Sequence, residues 1–181
     1  MFSYRVDEDI SLAIPRRQDA KKIFEVVEKD VDYLSKWLPW PRSLKTVADE
    51  EDSLKLLLLH FGQGESLNLV IWYQHEIAGS ISFNKFDQKN QSSEIGYWLA
   101  GDLQGHGIMH RCVEAMFTIG FTEYDCEKIM IRAATENGPS NHVIQKAGFH
   151  FDGVERRAEK LEQGWVDYNC YSLLKSEWLA R

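Results

Sequence analysis

The sequence predicts an α+β fold, a mixed and mostly antiparallel sheet flanked by helices in one domain over residues 1–181. Three observations carry this. Residues 67–99 hold three apolar segments joined by short polar turns, the pattern of an antiparallel meander rather than of βαβ units. Apolar residues at helical spacing occupy the chain before and after that meander. No repeat, low-complexity tract or Pro/Gly/Ser-rich linker divides the sequence.

Taken in order, residues 10–14 form a short strand that Pro15 stops. Residues 19–29 place Ala20, Ile23, Phe24, Val26 and Val27 at helical spacing. A second short helix carries Val31, Leu34 and Trp37 and ends at the Pro39/Pro41 segment, because proline cannot continue a helix interior. Thr46 and Asp49 have capping-box spacing and open a helix to about His60, which Gly62-Gln63-Gly64 ends. Strands are expected at 67–73, 77–86 and 93–99, with turns at His75-Glu76 and at 87–92. A glycine-bearing loop, 101–107, leads into a helix striped by Met109, Cys112, Val113, Met116, Phe117 and Gly120. Residues 128–134 alternate Ile129, Ile131 and Ala133 as a strand. Residues 140–147 form a short helix with Ser140 at the N-cap and Gly148 as its left-handed C-terminal cap. Residues 149–158 and 166–174 are the last two strands.

Composition narrows the function. With 21 Lys and Arg against 28 Asp and Glu the formal charge is −7, which argues against a nucleic-acid surface and leans slightly toward a cationic partner. Cys112, Cys126 and Cys170 are odd in number and form no C-x-x-C pair, so neither a disulfide framework nor a structural zinc is expected. His106 and His110, four apart, make only a weak metal candidate, and no metal is expected. The N-terminus lacks the basic and apolar regions of a signal peptide, and the most apolar run, 54–61, is too short for a bilayer and contains Lys55 and His60. A cytoplasmic protein with no membrane contact is expected.

The chemistry starts from the loop Gln104-Gly105-His106-Gly107-Ile108-Met109. Gly105 and Gly107 let the backbone approach a ligand, and the following helix offers unpaired N–H groups and the positive end of its dipole. Together they suit an anion such as a pyrophosphate. A dinucleotide fingerprint needs a third glycine after a parallel strand, and a P-loop needs Gly-Lys-Ser/Thr; neither is present. Alone, the loop is an anion-binding turn with many possible ligands, or a turn with none.

The loop follows Glu94-Ile95-Gly96-Tyr97-Trp98-Leu99 and precedes Glu136-Asn137-Gly138-Pro139-Ser140-Asn141 and Lys146-Ala147-Gly148-Phe149. In this order, and with Trp37-Leu38-Pro39-Trp40-Pro41 and Ile81-Ser82-Phe83-Asn84, the sequence resembles the GCN5-related N-acetyltransferase superfamily over nearly its whole length. Within it, the Rim-type ribosomal-protein N-acetyltransferases are most similar. The resemblance implies that acetyl-CoA is the co-substrate. It implies that the backbone of Tyr97, Trp98 and Leu99 pairs with the pantetheine arm, that Gln104 to Met109 hold the pyrophosphate, and that Asn137, Ser140, Asn141 and Lys146 lie near the thioester and adjoining arm.

An amine would attack the thioester directly. By resemblance Glu159 is the base and Ser140 the acid, with Glu94 the rival base. Trp37 and Trp40 would wall the acceptor pocket, and Asp167 and Tyr168 would shape it. Without the resemblance, Ser140 is equally a helix cap, Glu159 a solvated turn charge, and Trp37 and Trp40 ordinary packing beside proline. The acceptor implied is the N-terminal α-amine of a ribosomal protein, and the assembly a homodimer. The alternatives are a small amine, such as a polyamine or an aminoglycoside, and a non-catalytic acyl-CoA-binding module, which would not need a competent Glu159 and Ser140.

Overall fold

The computed structural model describes residues 3–181. Eight strands form one sheet in the order β1-β2-β3-β4-β5-β6-β8-β7. The strands are β1 (Ser3–Arg5), β2 (Ile10–Ala13), β3 (Leu67–Tyr73), β4 (Glu76–Asp87), β5 (Ser92–Leu99), β6 (Lys128–Ala134), β7 (His150–Leu161) and β8 (Gly164–Leu174). The helices are α1 (Ala20–Lys29), α2 (Val31–Leu34), α3 (Val47–Gly62), α4 (Ile108–Thr118), α5 (Gly138–Lys146) and α6 (Lys175–Leu179). Among the described residues no helix is long and apolar enough to cross a membrane.

Period-2 alternation divides the core between the two faces of the sheet. Leu69, Ile71, Ile81, Phe83, Ile95, Ile129 and Ile131 pack on one face against the α4 stripe of Met109, Cys112, Val113, Met116 and Phe117. Val70, Ile77 and Trp98 take the opposite face, with Ala20, Ile23 and Val27 of α1 and Leu54 of α3. The helix α3 starts where the sequence places it. Asp49 N–H donates to Thr46 Oγ1 at 3.2 Å, and Thr46 N–H donates back to the Asp49 carboxylate at 2.8 Å.

Several elements depart from expectation. The β3–β4 turn is Gln74-His75, not His75-Glu76; both residues have positive φ, 49° and 73°, as a two-residue hairpin turn requires. Strand β1 was not foreseen, since three residues offer no alternation to read. The stripe of α4 continues past Thr118 as a π-helical turn, Ile119–Glu123. The last hairpin is longer than expected: β7 runs to Leu161 and β8 begins at Gly164, so Glu159 stands on a strand rather than in a turn.

All neighbouring strands are antiparallel except β5 and β6, which pair in parallel only from Ser92↔Lys128 to Ile95↔Ile131. Beyond Ile95 the two diverge, while β5 keeps its ladder with β4 up to Gly79↔Leu99. Gly79 is required there. A Cβ at 79 would stand 2.1 Å from the Trp98 carbonyl oxygen and 3.0 Å from Leu99 Cα, so only glycine lets β4 and β5 close together.

Candidate active site

The divergence of β5 from β6 opens a cleft of about 670 Å³. Gly96 to Leu99 form one wall and Arg132 to Ala134 the other; the loop before α4 and the first turns of α4 and α5 close its ends.

At the loop end, Gly105 and Gly107 have φ of +80° and +69°, in the left-handed region that favours glycine. A Cβ at either position would meet nothing within 4 Å, so the backbone conformation, and not crowding, selects glycine. Gly107 is the N-cap of α4 and supplies no side-chain cap, which leaves first-turn N–H groups facing the cleft for an anion. The loop is braced from both sides. Arg111 donates to Asp7 at 2.7 Å and to the carbonyls of His106 and Gly107 at 3.4 Å each. Asp30, at the end of α1, accepts from Gly101 N–H at 2.6 Å, and Lys29 pairs with Asp102 at 2.7 Å.

At the opposite end, the Tyr97 hydroxyl and Ser140 Oγ are 2.7 Å apart. Burial pushes the Tyr97 phenol up to about 12, partly offset by its bond to Ser140, so it stays protonated near neutral pH. Ser140 is not the helix N-cap. That position belongs to Asn137, whose Oδ1 accepts from Ser140 N–H at 3.2 Å, and the Ser140 hydroxyl is thereby left for the cleft.

The carboxylates of the cleft differ in their partners. Glu94 is held by a two-point ion pair with Arg132, at 3.0 and 3.3 Å, and Arg132 also donates to Glu155 at 2.7 Å. Arg132 lies 5.6 Å from the Tyr168 ring centre. Glu159 lines the same cleft, and among the described residues its carboxylate makes no hydrogen bond or ion pair. It is close enough to Tyr168 to add to the burial that raises that phenol's pKa. A bulge in the β7–β8 ladder between Glu155 and Glu159 sets its register. There Arg157 takes φ +50° and its N–H donates to Asp167 Oδ1 at 2.7 Å.

The acetyltransferase (GNAT) domain model matches residues 10–150, more than three quarters of the chain. The chain belongs to the GNAT acetyltransferases. Among curated GNAT relatives, it is 26% identical over 168 residues to the ribosomal-protein-serine acetyltransferase of Escherichia coli K12, covering 93% of this chain and 94% of that one. It is 29% identical over 181 residues to the putative ribosomal N-acetyltransferase YdaF of Bacillus subtilis 168, covering 98% of each. Among solved structures, RimL, the ribosomal L7/L12 alpha-N-protein acetyltransferase in complex with coenzyme A, superposes with a TM-score of 0.93 at 26% identity, over 97% of this chain and 99% of that one. The protein is thus an acetyl-CoA-dependent N-acetyltransferase, and the left-handed glycines and uncapped start of α4 fit the pyrophosphate of that co-substrate.

Most residues singled out in the sequence come together around this GNAT cleft. Glu94, Tyr97, Trp98, Leu99, Gln104, Gly105, Gly107, Ile108, Met109, Asn137, Ser140, Lys146, Glu159, Trp37 and Tyr168 line it. Four do not. His106 is exposed and contributes its carbonyl to Arg111. Asn141 is a buried brace: its amide donates to Ala134 O at 2.9 Å and Asn137 O at 2.8 Å, and its Oδ1 accepts from Asn169 and from the Tyr171 hydroxyl, both at 2.8 Å. Asp167 is engaged at the β7 bulge. Trp40 packs edge-on to Trp98, ring centres 6.3 Å apart, and lines a different cavity.

Sequence reasoning missed Arg132 and Asp30. Arg132 was visible as the charged position opposite the Ile129-Ile131-Ala133 row; Asp30 looked like any helix-end acid. Cys112 is fully buried and burial pushes its thiol up to about 12, so it offers no thiolate. Among the described residues no group of three or more His, Cys, Asp and Glu is arranged for a metal ion.

Proposed function

We propose that this enzyme acetylates the N-terminal α-amine of a ribosomal protein, with Glu159 receiving the amine's proton and the Tyr97–Ser140 pair supplying one to the departing thiolate. The observation that carries the chemistry is the unpartnered carboxylate of Glu159 beside a Glu94 already committed to Arg132. An unpaired carboxylate is free to orient an ammonium and take its proton. At pH 7 about 10% of an α-amine with pKa near 8 is already neutral, against roughly 0.04% of a lysine amine. A carboxylate base is adequate for the former and poorly matched to the latter. Supporting the acceptor class are two relatives of ribosomal type that cover nearly the whole chain.

The backbone of Tyr97 to Leu99, freed from β6, is the natural donor set for the oxyanion that forms at the acetyl carbonyl. Trp37 lines the acceptor side, and its indole N–H is buried without a partner among the described residues, a donor held for a ligand. Such an acceptor places the enzyme in the cytoplasm, and by family resemblance it acts as a homodimer.

A small polyamine or aminoglycoside is the second reading, favoured by the formal charge of −7 and by the Glu159 carboxylate, which has no cationic partner among the described residues. Acetyl transfer to purified ribosomal proteins, run beside a panel of small amines and followed by mass spectrometry, decides between them. The proposal requires a single added acetyl group at a protein N-terminus. Turnover confined to the small amines would replace it with the second reading.

A further inference from the structure

Strands β5 and β6 part after the Ile95↔Ile131 pair, and Arg132 is the first residue of β6 beyond it. By alternation Glu94, Met130 and Arg132 share one face of the two strands. Arg132 reaches back across the fork to Glu94, with Nε at 3.0 Å and Nη2 at 3.3 Å. It reaches forward to Glu155 of β7 with Nη1 at 2.7 Å. Its row continues through Cys170 of β8 and Gly153 of β7, so small residues lie between it and the outer strand. One guanidinium thus spends three donors on two carboxylates from two strands, which a lysine ammonium, a point charge without the planar fork, would not reproduce.

The two acids are not equivalent. Glu94 lines the transfer cleft together with Glu159, and Glu155 does not. Burial raises the pKa of the Tyr168 phenol, and Glu159, Arg132, Glu94 and Glu155 all act on it, which gathers the four charges around one ring. The other lysine or arginine lining the cleft, Lys146, stands on α5 and among the described residues pairs with neither Glu94 nor Glu159. The Arg132 side chain is 35% exposed. A pair this exposed adds little to stability, so its effect is felt in which carboxylate stays free.

We infer that Arg132 is a positioning residue that selects the base: by holding Glu94 it leaves Glu159 as the one carboxylate open to the acceptor. Neutralising position 132 would free a second carboxylate in the same cleft. An ammonium bound there would pass its proton to Glu94, leaving a neutral amine and a carboxylic acid, as it does with Glu159 in the wild type. The inference rests on the proposed role of Glu159 and is independent of the acceptor's identity. Its consequence is that, in an enzyme already disabled at position 159, a second substitution restores activity.

The test is kcat for acetyl transfer to an amine or protein that the wild type acetylates, with coenzyme A affinity measured on every variant to report folding. Glu159→Gln alone should lose about 100-fold, and Arg132→Met combined with Glu159→Gln should regain about tenfold of that. Adding Glu94→Gln should abolish the gain, which assigns it to that carboxylate. Arg132→Lys with Glu159→Gln should show no gain, because the charge beside Glu94 remains, whereas simple loosening of the strands would make lysine and methionine alike. Arg132→Gln, neutral but polar, replaces Arg132→Met if that variant does not fold. Equal kcat with and without the neutral residue at 132, a gain that survives Glu94→Gln, or an equal gain with Arg132→Lys would each overturn the inference and leave Glu159 as the base. Wild-type kcat in Glu159→Gln alone would overturn both.

Discussion

At one end of the cleft, residues 104–109 present backbone; at the other, Tyr97 of β5, Arg132 of β6, Ser140 of α5 and Glu159 of β7 present side chains. The loop end needs only a left-handed conformation at two positions and a helix that starts without a side-chain cap. What it offers a ligand is peptide geometry, with little demanded of side-chain identity. The transfer end needs four strands and helices to converge, and each residue's role depends on its neighbours: Glu94 and Glu159 are the same residue type, yet one is neutralised and one is not. Anchoring is therefore local and robust, whereas chemistry is tertiary and easily altered.

The sharpest way to break this contrast is Gly107→Glu. A side chain at φ +69° is strained, and its charge opposes the pyrophosphate, so acetyl-CoA affinity should fall by more than ~100-fold in a calorimetric titration. Affinity within threefold of wild type would remove the loop from the binding site. Next comes Glu159→Gln, for which kcat should drop about 100-fold at near-constant acetyl-CoA affinity. If Glu94→Gln shows that drop instead, the Arg132 pair is a store for the base and not a structural clamp.

Smaller effects are expected from the hydroxyl pair. Tyr97→Phe and Ser140→Ala should each lower kcat by about 10-fold, and the double variant should lose little more, since each removes the same 2.7 Å contact. Full additivity, measured as a double-mutant cycle on kcat, would mean that the two act separately. The smallest effect belongs to His106→Ala: its side chain is exposed and only its carbonyl is used, so acetyl-CoA affinity should change less than about twofold. A larger loss would show that the loop uses side chains after all.

The same contrast governs what the sequence disclosed. The meander, the capping box at Thr46, the striped helix and the glycine loop were legible because each is a local pattern. Ser140 was misplaced as an N-cap because Asn137, three residues earlier, is an equally good capping residue and Pro139 suits the first turn that follows it. The length of β7 was underestimated because two bulges break its alternation, and with it the signal that puts Glu159 on a strand. Asn141, placed near the thioester by resemblance, is a buried brace with four hydrogen bonds, an arrangement that rests on Asn169 and Tyr171, far along the chain. The Glu94–Arg132 pair is likewise a contact between β5 and β6, 38 residues apart in sequence.

Gly79 carries a mechanical consequence. Strand β5 is pressed against β4 with no clearance, its Trp98 carbonyl already where a Cβ at 79 would be. The cleft is in effect a vice with one fixed jaw. Any widening for a bulkier acceptor must come from the β6–β8–β7 side, whose outermost strand carries Glu159. In an enzyme built this way, a change of acceptor size and a change of proton acceptor geometry are hard to make separately. Engineering of acceptor range should begin with the bulge at Arg157, where the moving jaw already bends, and leave the fixed one alone.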